Sequence, residues 1–268
     1  LRSSGATAYL RPARRRGNLR IETNAHVSRI VFEGGRAVGV EYRQGGRLVT
    51  ARAKREVILS AGALQSPQLL QLSGVGPSNL LDQHGIAVVR ELPGVGENLQ
   101  DHLQLRLIFR CAKPITTNDE LNSLAGRIKI ALQWLLARSG PLAIGINQGG
   151  LFTRVLPESR TPDIQFHFAT LSADMAGAKP HPWPGFTISV CQLQPSSRGH
   201  VRIKSKDAFE PPAMQPYYLS SELDRRCAIA AVRCARRIAQ SEALRPYVAS
   251  EFRPGEAVQS DDELLGFA

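Results

Sequence analysis

Two glycine pairs, Gly34–Gly35 and Gly45–Gly46, constrain this chain more than any other feature. They interrupt stretches in which valine and isoleucine recur at alternate positions: "NLRIETNAHVSRIVFE" before the first pair, "RAVGVEYRQ" between them, "RLVTARAKREVILS" after the second. Alternation turns one face of a strand inward, and paired glycines supply the positive φ that a tight hairpin needs. The spacing therefore predicts a three-stranded meander that ends in a buried strand, Glu56–Ser60.

After Gly62 the apolar period becomes helical. Ser66 fits an N-cap with Pro67 in the first turn, Leu69, Leu70 and Leu72 give an apolar face, and Gly74 stops it. A second short helix is expected over Asn79–His84, then a strand in "GIAVVREL". The turn formers of "PGVGENLQDH", Pro93–His102, mark a domain boundary, giving regions 1–100 and 101–268. The second region reads as a strand in "LQLRLIFRC", a helix over Leu121–Ala137, and strands in "INQGGLFTRV", "PDIQFHFAT", "FTISVCQLQP" and "SRGHVRIKS". A capped surface helix follows in "LSSELDRRCAIAAVRCARRIAQ", with Arg225, Arg226, Arg233, Arg236 and Arg237 on its wet face. The fold class is α+β, the second region being an antiparallel sheet with helices on one face.

Composition narrows the function. At 268 residues, 43% apolar and 21% charged, the chain is long enough for a large core and is not disordered by composition. No run approaches the ~18 apolar residues of a membrane span and no secretory signal opens the chain, so a soluble, cytoplasmic protein is expected. Cys111, Cys191, Cys227 and Cys234 lack metal or redox spacing and read as buried thiols. The net charge of +11 attracts polyanions in principle, yet no aromatic interleaving or finger spacing accompanies it. Nucleic acid is therefore not expected as a partner. No H-E-x-x-H, Walker lysine, dinucleotide fingerprint or triad spacing is present, so these motifs leave the activity open.

Five stretches carry more information together: "AYLRPARRRGNLRIETNAHVSRIVFEGGRAVGVEY", "REVILSAGALQSPQLLQLSGVGP", "LPGVGENLQDH", "SRGHVRIKS" and "RPGEAVQSDDEL". In these the chain resembles, in order, the glucose-methanol-choline family of flavoprotein oxidoreductases, within it the choline-dehydrogenase-like bacterial branch. The resemblance implies a partial FAD-binding domain over 1–100 and a substrate-binding domain over 101–268. It implies hydride transfer from the CH–OH carbon of an alcohol, choline-like or another primary alcohol, to FAD, with an electron acceptor or dioxygen reoxidising the flavin. The family's dinucleotide fingerprint lies upstream of its matching region, and its catalytic histidine lies downstream of the "DDEL" segment. The opening at Leu1 and the end at Ala268 then read as those of a central portion, inactive alone, with FAD absent or weakly held and no catalytic or metal-binding residue assigned. A membrane-associated parent protein is compatible with the same branch. The alternative is a catalytically incomplete domain that binds another protein or has no independent role.

For individual residues the resemblance implies that the main chain at Val27 meets the adenine ring, although a core valine on a strand fits the same pattern. Ala61 and Gly62 are implied near the ribose and pyrophosphate, their small size admitting a close backbone approach. Tight strand-to-helix packing is the competing account. Asn98 and Asp101 are expected to cap the inter-domain loop at the flavin's edge, while His102 is assigned no catalytic role. Gln148, Phe166 and Phe168 are expected to line the substrate cavity, against the alternative that aromatic residues at strand spacing are core. His167 points to the opposite face from Phe166 and Phe168, and His200 is expected in solvent. The apolar stretch Val57–Ser60, lacking neighbouring strands, predicts self-association through an exposed edge.

Overall fold

The computed structural model describes residues 3–175 and 177–268; Leu1 lies outside the described residues. The chain divides into two compact units, residues 1–99 with 199–215 and residues 100–198 with 216–268.

The first unit opens with a π-helical turn, Ala6–Leu10, that runs into the short helix α1 (Arg11–Ala13). Strands β1 (His26–Glu33), β2 (Arg36–Gln44) and β3 (Arg47–Arg52) form the expected antiparallel meander. Both glycines of each pair sit at positive φ, between 55° and 80°, as two-residue hairpin turns require. The meander stops at Arg52. Residues 56–60 belong to no strand, and Ile58 is 79% exposed. The expected buried strand there is corrected: its apolar pattern is real, but among the described residues no strand lies beside it to complete the ladder.

Helix α2 (Gly62–Leu72) begins four residues before the expected cap. Ser66 acts from inside the first turns, its Oγ accepting the Ala61 N–H at 3.1 Å, and Pro67 lies within the helix. Strand β4 (Val75–Gly76), helix α3 (Ser78–Gln83) and strand β5 (Arg90–Glu91) follow, β4 and β5 pairing in parallel over two residues. Strand β6 (Glu97–Leu99) ends this part.

The second unit contributes β7 (Gln104–Cys111), helices α4 (Thr117–Asn122) and α5 (Leu124–Ala137), and strands β8 (Gly149–Thr153), β9 (Ile164–Ala169) and β10 (Gly185–Gln192). The single helix expected over Leu121–Ala137 is two. Ser123 takes an extended conformation, and its Oγ accepts the Gly126 N–H at 3.0 Å, capping α5 anew.

The chain then returns to the first unit with β11 (Gly199–Arg202) and β12 (Ala213–Gln215), which form a sheet in the order β12-β11-β6. A single boundary near residue 100 thus misplaces residues 199–215. The reason is a side chain on α2: Gln71, fully buried, accepts the Ile203 N–H at 2.9 Å and donates to the carbonyls of Val95 and Val201. A Cβ at Gly96, φ +84, would fall on the Val201 carbonyl. His200 is half-buried on β11, opposite Gln215 and Glu97, where solvent exposure was expected.

Helix α6 (Glu222–Ala239), strand β13 (Val248–Arg253) and helix α7 (Asp261–Phe267) complete the second unit. Its sheet is antiparallel throughout, in the order β13-β7-β10-β9-β8. Leu107, Phe109, Ile164, Phe166, Phe186, Ile188 and Val190 meet Cys227, Ala231, Val232 and Ala235 of α6 in one core. Each large side chain buried there stabilises by roughly 1.5–3 kcal/mol. Small residues on α6 let the helix approach the sheet closely. Cys111, Cys191 and Cys227 are buried and Cys234 half-buried. Burial pushes the Cys227 thiol up to about 12, with the carboxylates of Asp163 and Asp224 acting in the same direction. Among the described residues no helix is long and apolar enough to cross a membrane.

A candidate binding cleft at the start of helix α2

A cavity of the first unit lies where α2 begins. It encloses about 400 Å³ between residues 61–65 and Gln68 on one side and residues 208–212 with Met214 on the other, and His26 lines it as well. An adjoining cavity of about 210 Å³ shares His26, Ala61, Gln65, Gln68 and Ala208 with it and is lined further by Ala25, Val27 and Leu69. The first N–H groups of a helix have no intrahelical acceptor, and its N-terminus carries partial positive charge. Here that terminus opens into a largely apolar cleft.

Its walls are fixed by contacts distant in sequence. The His26 ring stacks on Phe209 with 4.1 Å between centroids, and its Nε2 lies 3.0 Å from the Ala208 carbonyl oxygen. Gln68 Nε2 donates to the Glu210 carbonyl at 2.8 Å. The Glu210 carboxylate is held by Ser205 Oγ at 2.6 Å and Lys204 Nζ at 3.1 Å, and these two contacts, Ser205 first, lower its pKa. Loop 204–210 is thereby tied back on itself and presents Phe209 and the prolines to the cleft.

Gly62 lines the first cavity and Val27 the adjoining one, while Ala61 lines both. Val27 is half-buried beside a bulge in β1, where the register with β2 shifts between Val27 and Arg29. Such a bulge disrupts the ladder locally. At Gly62 the backbone itself requires glycine, φ being +87, and the space beside its Cα is open. Asn98 is not part of the cleft. It is exposed at φ +63, a conformation asparagine adopts more readily than most residues.

The remaining expected residues belong to the second unit. Asp101 accepts the Tyr218 hydroxyl and, at 2.9 Å, the His102 N–H. Burial and then the Asp101 carboxylate push the Tyr218 phenol up to about 12, so it stays a donor. Gln148 is exposed, its N–H bonded to the Phe168 carbonyl at 2.8 Å. Phe166 and Phe168 lie on the helix-covered face, Phe166 buried in the core and Phe168 half-buried against it beside Phe186. By strand alternation the opposite face presents Gln165 and His167 of β9 and Thr187 and Ser189 of β10.

The cleft holds no nucleophile–base pair, and among the described residues no three metal-ligating side chains cluster. The arrangement offers an apolar wall of Phe209 and the prolines beside a helix terminus that carries partial positive charge. Sequence reasoning missed His26, Gln68 and Phe209. Gln68 was legible as a polar residue within the apolar turn of α2, whereas Phe209 lies some 140 positions away with no local signal.

The chain is similar to known proteins. Residues 1–104 and 195–268 match two family models, both described as GMC oxidoreductase. Over 264 residues the chain is 42% identical to the oxygen-dependent choline dehydrogenase of Staphylococcus aureus strain MSSA476, covering 98% of this chain and 46% of that protein. The corresponding Staphylococcus xylosus enzyme is likewise 42% identical, with 47% of it covered. The chain thus spans about half the length of the curated relatives it matches. Among solved structures, pyridoxine 4-oxidase from Mesorbium loti superposes with a TM-score of 0.82 at 26% identity, over 99% of this chain and 48% of that one.

Proposed function

Because the chain belongs to the GMC oxidoreductase family, we propose that it forms the central part of an FAD-dependent oxidoreductase acting on the CH–OH group of an alcohol. The first unit contributes to the FAD-binding domain and the second to the substrate-binding domain. The observation that carries this reading is that Val27 and Gly62 line two adjoining cavities at the start of α2, with Ala61 lining both.

The cleft fits the adenosine end of a dinucleotide in size and character. The main chain at Val27 offers polar groups to a base edge. Ala61 and Gly62 leave room for a ribose and its phosphates, and the α2 terminus favours their negative charge. Bound flavin supplies the two-electron acceptor for a hydride leaving an alcohol carbon. Asn98 and Asp101 are accounted for by backbone conformation and by Tyr218, so the binding role is confined to the three clustered residues. Gln148 remains proposed for the substrate side. The alcohol is a choline-like or other primary alcohol, in keeping with the choline dehydrogenases among the relatives, and the flavin is reoxidised by an electron acceptor or dioxygen.

The test is titration of the chain with FAD, read by flavin fluorescence anisotropy, with ADP as competitor. Ala61→Trp, which fills the cleft, should weaken binding by about tenfold or more, ~1.4 kcal/mol, with an unchanged circular dichroism spectrum. Undiminished affinity in that variant, or failure of ADP to compete, would overturn the assignment.

A further inference from the structure

Gln68 is held at the start of α2 in a single orientation. It is 5% exposed and lines both adjoining cavities. Its Nε2 donates to the Glu210 carbonyl at 2.8 Å. A carbonyl oxygen only accepts, so the amide cannot turn over without setting two acceptors against each other. Its Oε1 has no hydrogen-bond partner among the described residues. Every fully enclosed polar side-chain atom among those residues does have one, so Oε1 opens into the cavities that Gln68 lines. The other polar groups on these walls are engaged or unfixed. His26 Nε2 lies 3.0 Å from the Ala208 carbonyl oxygen and donates to it. The Glu210 carboxylate accepts from Ser205 Oγ, and Lys204 Nζ at 3.1 Å matches its charge. Gln65 lines both cavities as well, but it is exposed and its side chain makes no hydrogen bond among the described residues, so it can present either end.

We propose that Gln68 determines which base the cleft accepts, its Oε1 receiving a hydrogen bond from the exocyclic amino group of adenine. The role rests on the FAD-binding reading of the cleft and adds to it the group by which the base is read. Adenine brings the N–H that the fixed oxygen needs. Hypoxanthine and guanine bring a carbonyl oxygen to the same place, leaving two acceptors face to face and unpaired away from water. Discrimination of this kind requires an acceptor that cannot swing aside, and the bond to Glu210 supplies that constraint. The base then occupies the cavity lined by Val27, and its ribose and phosphates extend past Ala61 towards Gly62.

Competition against FAD bound to the chain, read by flavin fluorescence anisotropy, tests the role with ADP, inosine diphosphate and purine riboside diphosphate. The last lacks the amino group and adds no bulk in its place. ADP should displace FAD at a concentration about tenfold or more below that needed for either of the others. Gln68→Met, which keeps the length of the side chain without its polar atoms, should bring the competitors to within about twofold of one another. A purely structural loss would weaken all of them alike and leave their ratios standing. Gln65→Met should keep the ADP preference of the native chain. Equal displacement by the competitors in the native chain, an undiminished ADP preference in Gln68→Met, or loss of that preference in Gln65→Met would each refute the role of Gln68. If Gln68→Met loses the native circular dichroism spectrum, the ratios in the native chain and in Gln65→Met decide. Binding of FAD and ADP without discrimination refutes the role of Gln68 alone, whereas absence of FAD binding removes the cleft as a nucleotide site and the role with it.

Discussion

Asp224 is the carboxylate on which the start of α6 turns. It is 2% exposed and accepts the Ser196 and Ser197 N–H groups, each at 2.8 Å, and the Ser196 hydroxyl at 3.0 Å. Burial by itself works to raise its pKa, but the hydrogen bonds from Ser197 and Ser196 together outweigh it and bring the value to about 2, from an ordinary 3.8. A depressed folded-state pKa adds stability that is complete above the unfolded value and is lost as pH falls through the folded one. The contribution is about 2 kcal/mol, present above pH ~4 and lost towards pH ~2. Urea unfolding midpoints of the native chain and Asp224→Asn should therefore converge by about that amount over this range. A constant gap would show that the carboxylate is not the titrating group. The residue is legible in "SSELD" as part of a helix start, but its partners at 196 and 197 are not.

At the scale of elements, α6 and β13 show what a helical pattern conceals. Arg236 lies among the arginines expected on the wet face, yet its side chain is only 12% exposed and Glu251 opposite it only 8%. The pair is bidentate, at 2.8 and 2.9 Å, and Arg236 also donates to the Gly255 carbonyl at 3.2 Å. Strand β13 was not expected, because its inward positions include a charge that matches the core only when paired. Arg236→Met leaves Glu251 buried and alone, and should cost about 3–5 kcal/mol. Adding Glu251→Leu should recover much of the loss. Chemical denaturation of the two variants decides this, and equal stability of both would mean that the pair is solvated.

For the whole molecule, the unpaired stretch 56–60 is the feature with the widest consequence. Strand-forming residues outside any sheet, with Ile58 79% exposed, invite pairing with another chain. We expect concentration-dependent self-association, read by light scattering, and its suppression in Ile58→Lys. Association unchanged in that variant would place the contact elsewhere. The two compact units are each assembled from two separated segments. Residues 199–215 belong with the first unit because Gln71 and β6 hold them there, through bonds between residues more than 100 positions apart.

By itself the sequence determined the local architecture: hairpins at Gly34–Gly35 and Gly45–Gly46, the apolar turn of α2, the alternating strands β7, β9 and β10, and the capped amphipathic helix α6. Each rests on a period or a turn residue acting over fewer than about twenty positions. Tertiary structure alone decided that Phe166 and Phe168 face a helix, that Arg236 is buried, that residues 56–60 stay unpaired and that Phe209 walls the cleft beside His26. In each case the outcome depends on which distant segment supplies the neighbouring atoms, and a one-dimensional pattern of apolar and polar residues does not encode that partner.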